Sequence, residues 1–110
     1  MEKIVRQTLL FDFYGELLTE HQQKIYEAVV LNDTGFSEVA AEEGISRQGV
    51  HDLVRRCDHQ LDEYEEKLHL VERFLAIREN VDKIRSLASG IHGDASDEIV
   101  RLTGKILEEL

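Results

Sequence analysis

Residues 36–56 run Phe36-Ser37-Glu38-Val39-Ala40-Ala41-Glu42-Glu43-Gly44-Ile45-Ser46-Arg47-Gln48-Gly49-Val50-His51-Asp52-Leu53-Val54-Arg55-Arg56. This stretch decides the fold, because its positions suit two short helices joined by a tight turn. Val39, Ile45, Val50 and Leu53 are apolar where the helices must pack on each other. Ala40 is small where they approach closely. Gly44 follows four residues later, where the turn needs a positive φ that glycine adopts at little cost. Ser46 can cap the second helix by accepting a backbone N–H on its hydroxyl. The pattern predicts a helix-turn-helix, whose second helix is the one that enters a major groove.

The exposed positions of that second helix are expected at Ser46, Arg47, Gln48, His51, Asp52 and Arg55. Arg47 and Gln48 carry donors suited to guanine and adenine edges. Arg55 and Arg56 are placed to hold phosphate. The candidate nucleic-acid-binding set is therefore Ser46, Arg47, Gln48, His51, Arg55 and Arg56. Asp52 fits poorly, since it would face an anionic surface. Two plainer readings stay open at this point. The charges can be a solvated helix face, and a helix-turn-helix can be turned to protein binding, because fold does not fix function.

Charge sharpens that tension. The chain has 110 residues and a formal net charge of −10, whereas affinity for DNA depends on Lys and Arg neutralising phosphates. Residues 1–60 carry six Lys/Arg against eleven Asp/Glu, and residues 61–110 seven against twelve, so neither half is basic. Residues 46–57 hold three arginines against one aspartate and form the one local basic patch. Nucleic-acid contact has to come from there. Proline is absent and glycines number seven, which favours helices throughout. Cys57 is the single cysteine, which excludes an intramolecular disulfide and fits a reducing cytosol. No apolar run approaches the roughly 20 residues of a membrane span. The N-terminus lacks a signal-peptide pattern, so the expected location is cytoplasmic.

Outward from the motif, residues 3–14 read as a first helix, stopped or kinked at Gly15. Its Phe11, Phe13 and Tyr14 suit core anchoring. Thr19 and Gln22 have the capping-box spacing at the start of a second helix, and Asn32-Asp33-Thr34-Gly35 is a turn cluster. From Arg47 to Ser89 only Gly49 interrupts good helix formers, giving one long helix or two with a kink. Its apolar rows drift around the axis, so it is expected to pack at both faces, on the N-terminal helices or on a second subunit. Asp94 or Ser96 can cap a last helix. The expected architecture is all-α: a helix-turn-helix domain of four or more helices at 1–60, winged-helix-like or sigma region 4-like, with a long C-terminal helical extension at 61–110.

Three blocks carry a family resemblance: LLFDFYGELLT at 9–19, AAEEGISRQGVHDLVRR at 40–56 and LDEYEEKLHL at 61–70. They resemble, in the same order, the YlxM family of small bacterial helix-turn-helix proteins, over roughly residues 3–88. The family's motif is similar to the promoter-reading fourth region of sigma factors. The resemblance implies a cytosolic all-α protein that acts in, or regulates, the signal recognition particle pathway, whose GTPase and receptor genes commonly neighbour those of the family. Arg47, Gln48, His51 and Arg55 match its exposed recognition positions. Gly49 departs from the pattern, where alanine would be usual, and the segment after about Ser89 has no counterpart that can be placed in the family and is expected to be a lineage-specific extension.

Other chemistry finds little footing. None of the five histidines makes an i, i+4 pair, and Cys57 and His59 do not converge on one helix face, so no metal site is expected. No phosphate-binding glycine loop or nucleophile motif is present, and no enzyme, cofactor or small-molecule substrate is expected. Asp62, Glu63, Glu65 and Glu66 read as a solvated helix face or as a patch for a basic partner. Two functions remain. In one, a homodimeric regulator binds DNA through residues 46–56. In the other, a protein-interaction component binds the signal recognition particle GTPase or its RNA without reading DNA.

Overall fold

A computed structural model describes all residues, 1–110, and contains only helices and turns. It divides into two compact units, Met1–His69 and Leu70–Leu110. The division lies at His69–Leu70 and not at residue 60, because the helix through position 60 continues unbroken to Leu68. No helix is long and apolar enough to cross a membrane.

In the first unit, α1 (Lys3–Tyr14) ends in a tight single turn at Gly15–Leu17. A Cβ at Gly15 would meet the Phe11 ring at 3.1 Å, so glycine lets that ring pack close against the turn. Next, α2 (Glu20–Tyr26) starts with the capping box its sequence predicts. The Thr19 hydroxyl accepts the Gln22 N–H at 3.1 Å and the Gln22 side chain accepts the Thr19 N–H at 3.0 Å. The chain widens to a π-type turn at Glu27–Leu31 and then turns through Asn32–Gly35, with Asp33 at φ 54°. The short α3 (Phe36–Glu43) and the long α4 (Arg47–Leu68) follow.

Helix α4 is the axis of this unit. Its buried row Val50, Leu53, Cys57 and Leu61 follows the 3-4 spacing of one helix face. The row shares a core with Leu10, Tyr14, Ile25, Tyr26, Val39 and Ala40 from the three preceding helices and with Leu18 from the link between the first two. Val50, Cys57, Leu61, Ile25 and Tyr26 have no exposed surface, so the core is closed along most of α4.

Carboxylates clamp the far half of α4. Asp58 accepts from the Tyr26 hydroxyl at 2.6 Å and from the Gln7 amide at 3.0 Å. Glu65 accepts from the Tyr14 hydroxyl at 2.6 Å, and Asp62 pairs with Arg6 at 3.0 Å. Glu65 is buried, which corrects its expected place on a solvated face: in a core this size the tyrosine hydroxyl needs an acceptor, and Glu65 supplies it.

The second unit is a two-helix hairpin, α5 (Leu70–Ser89) and α6 (Asp94–Glu109). The stretch 47–89 is thus two helices. The first ends at His69, a non-glycine residue in the left-handed region at φ 56°. Neither Asp94 nor Ser96 caps α6; its N-cap is Gly93 at φ 130°, with no side-chain cap. The Ser96 hydroxyl instead donates to the carbonyls of Ala88 and Ile91, the latter at 2.6 Å, and ties the loop shut.

Candidate nucleic-acid interface

The turn between α3 and α4 is built as the sequence predicts. Gly44 is left-handed at φ 69°, and the N–H groups of Gly44 and Ile45 both point at the Ala40 carbonyl, the latter at 3.1 Å. Ser46 is extended, its hydroxyl accepts the Gly49 N–H at 2.9 Å, and its carbonyl accepts the Val50 N–H at 3.1 Å. Val39, Ala40, Val50 and Leu53 are buried between the two helices. This is a helix-turn-helix in geometry as well as in sequence.

Gly49 has a local reason. A Cβ there would sit 3.1 Å from the Ser46 hydroxyl oxygen. Glycine leaves that oxygen free to cap the helix, which offsets the lower helix propensity.

The candidate residues divide by position. At about 100° per residue, Arg47, His51, Arg55 and Gln48 fall within one arc of roughly 100° on the side of α4 away from its buried row. Arg56 lies about another 100° around, on the flank of that arc. Arg47, Gln48, Arg55 and Arg56 are exposed. Ser46 stands at the mouth of the helix with its oxygen engaged in the cap.

Three contacts were not anticipated from sequence. The His51 ring stacks on Phe36, centroids 3.7 Å apart and planes within 10°, which fixes its orientation and leaves it half-buried. Asp52 accepts from the Gln48 amide at 3.0 Å and lies 3.9 Å from the Arg55 guanidinium. The acid that fits a reading face poorly therefore holds two of that face's donors. The i, i+3 and i, i+4 spacings around position 52 were the available signal.

Behind the interface, burial pushes the Cys57 thiol up to about 11, with the neighbouring Asp58 charge acting the same way. Tyr26 is held far above the usual phenol range by burial first and by its hydrogen bond to Asp58 second. Both groups stay neutral, so the floor beneath the reading helix carries no thiolate or phenolate.

Comparison with known proteins agrees with this geometry. Residues 1–99 match the family model of YlxM/p13-like helix-turn-helix proteins, UPF0122. A UPF0122 protein of Thermoanaerobacter sp. strain X514 is 41% identical over 104 residues, 94% of this chain and 89% of its own length. YlxM of Bacillus subtilis strain 168 is 41% identical over 90 residues, 82% of each chain. A UPF0122 protein of Shouchella clausii is 36% identical over 110 residues, all of this chain and 95% of its own. The last alignment takes in the segment after Ser89, so that segment has a counterpart after all. On sequence and on the helix-turn-helix alike, the chain belongs to the YlxM/p13-like helix-turn-helix family.

Proposed function

We propose that this chain is a DNA-binding regulator that meets duplex DNA with the first turns of α4 and controls genes of the signal recognition particle pathway. The observation that carries the reading is the single arc of Arg47, Gln48, His51 and Arg55 on the helix that follows the Gly44 turn. Arg47 and Gln48 supply base-edge donors, and Arg55 and Arg56 supply phosphate contacts. The pathway, and the likeness of the motif to sigma region 4, rest on the sequence resemblance. In this reading the chain acts as a homodimer, because two recognition helices on one duplex match the symmetry of paired half-sites. Binding of a labelled duplex by the parent, markedly weaker in Arg47→Ala/Arg55→Ala, supports the proposal. Equal binding by both proteins overturns it.

A second reading has its own observation. Asp52 engages Gln48 and Arg55, and the whole chain carries −10. On that basis the same face docks on the signal recognition particle GTPase or its RNA. Capture of the purified GTPase on immobilised chain, with and without its RNA, supports this reading. No retention in either condition rejects it.

A further inference from the structure

The α5–α6 hairpin buries one seam and leaves an adjacent apolar face open. Val81 and Ala88 of α5 and Ser96 and Thr103 of α6 are buried in the seam. The helices run antiparallel: Ser96 bonds to Ala88 near the loop, and Phe74 and Leu107 line one groove near the other end. Ile84 stands three residues beyond Val81, Ile77 precedes it by seven, and Ile91 lies in the loop just past the end of α5. On α6, Leu102 stands one residue before Thr103, with Ile99 and Ile106 on the same row. In an antiparallel pair, three residues forward on one helix and one back on the other turn to the same side. Both rows therefore lie side by side. These six side chains keep between 41% and 65% of their surface exposed.

We propose that a second copy of this chain docks on this face, hairpin against hairpin, as a two-fold symmetric four-helix bundle. The inference rests on the homodimer of the preceding reading and names its surface. Three observations favour a second copy. First, Ile77 and Ile84 on α5 stand seven residues apart, and Ile99, Leu102 and Ile106 on α6 step by three and four, the spacings that interdigitate between long packed helices. Second, with Leu87, itself 73% exposed, the face presents on the order of 700 Å² of apolar side chain. That approaches the roughly 800 Å² each partner gives to a stable dimer. Third, charge is divided unevenly. Residues 70–110 carry six Lys/Arg against eight Asp/Glu, while residues 1–69 carry seven against fifteen. Two copies repel far less through their hairpins than through their first units.

The test is sedimentation velocity of the full chain at about 10 μM, in the range where interfaces of this size associate. The parent is expected to run as a dimer. Ile84→Glu/Leu102→Glu is expected to run as a monomer with unchanged far-UV circular dichroism, because both positions are half-exposed. Should that variant lose helicity, Ile84→Ser/Leu102→Ser replaces it, with dimer dissociation expected at least tenfold tighter in the parent than in the variant. A dimeric parent with equally dimeric variants overturns the surface alone. A monomeric parent overturns both the dimer and the surface, and leaves DNA contact by α4 to be judged separately from duplex binding.

Discussion

Gly49 and Ser46 should be energetically coupled, and the size of the coupling follows from one distance. A methyl group at position 49 would meet the Ser46 hydroxyl oxygen at 3.1 Å, with nothing else nearer than 3.9 Å. Alanine is favoured over glycine within a helix by about 1 kcal/mol. Losing a serine cap costs about 1 kcal/mol. In the parent these effects oppose each other, so Gly49→Ala should change stability by less than about 0.5 kcal/mol. Ser46→Ala alone should destabilise by about 1 kcal/mol, because the Gly49 N–H loses its acceptor. In the Ser46→Ala background the obstruction is gone, and Gly49→Ala should recover about 1 kcal/mol. The double-mutant cycle then yields a coupling of about 1 kcal/mol. Urea denaturation followed by far-UV circular dichroism reads this as midpoint shifts at constant slope. Simple additivity, with Gly49→Ala stabilising the parent by the full amount, would refute the reasoning.

Other perturbations have equally definite outcomes. Gly44→Ala should cost about 1 kcal/mol from backbone strain alone, since its φ is 69° and no atom lies within 4 Å of the added Cβ; an unchanged urea midpoint contradicts this. Tyr26→Phe should cost about 2 kcal/mol, because it removes a hydrogen bond to the Asp58 carboxylate; equilibrium unfolding measures it. The folded pKa of Cys57, about 11, lies above its ordinary 9.0. Its contribution is therefore complete below about pH 9 and lost as pH rises through about 11, a fall on the order of 2–3 kcal/mol. Tyr26 shifts in the same direction, so its contribution is also lost only on the alkaline side. Urea midpoints that stay flat across that range would count against both.

The helix-turn-helix was legible because its signals are local. Gly44 and Ser46 act within four residues of themselves, and the capping box at Thr19 and Gln22 does the same. The break at His69 was not legible, since no glycine or proline marks it and non-glycine residues seldom adopt a positive φ. The clamps by Asp58 and Glu65 were hidden for another reason. Their partners Tyr26 and Tyr14 lie 32 and 51 residues away, so periodicity placed these acids only on a charged helix. The same limit applied to His51, whose stacking partner Phe36 comes from the preceding helix. Of the candidate interface, the residue types and their shared arc were readable from helical spacing. The engagement of Gln48 and Arg55 by Asp52 depends on rotamers, which spacing does not specify.

The central claim is that α4 meets nucleic acid with its exposed arc. Its most direct test is the salt dependence of duplex binding, by fluorescence anisotropy, for the parent and for Arg47→Ala/Arg55→Ala. Each phosphate neutralised contributes about 0.9 to the slope of log affinity against log salt. The account predicts measurable parent binding that weakens steeply with salt, and a double variant that binds more weakly with a slope flatter by about one to two units. Parent and variant with the same affinity and the same slope would contradict it.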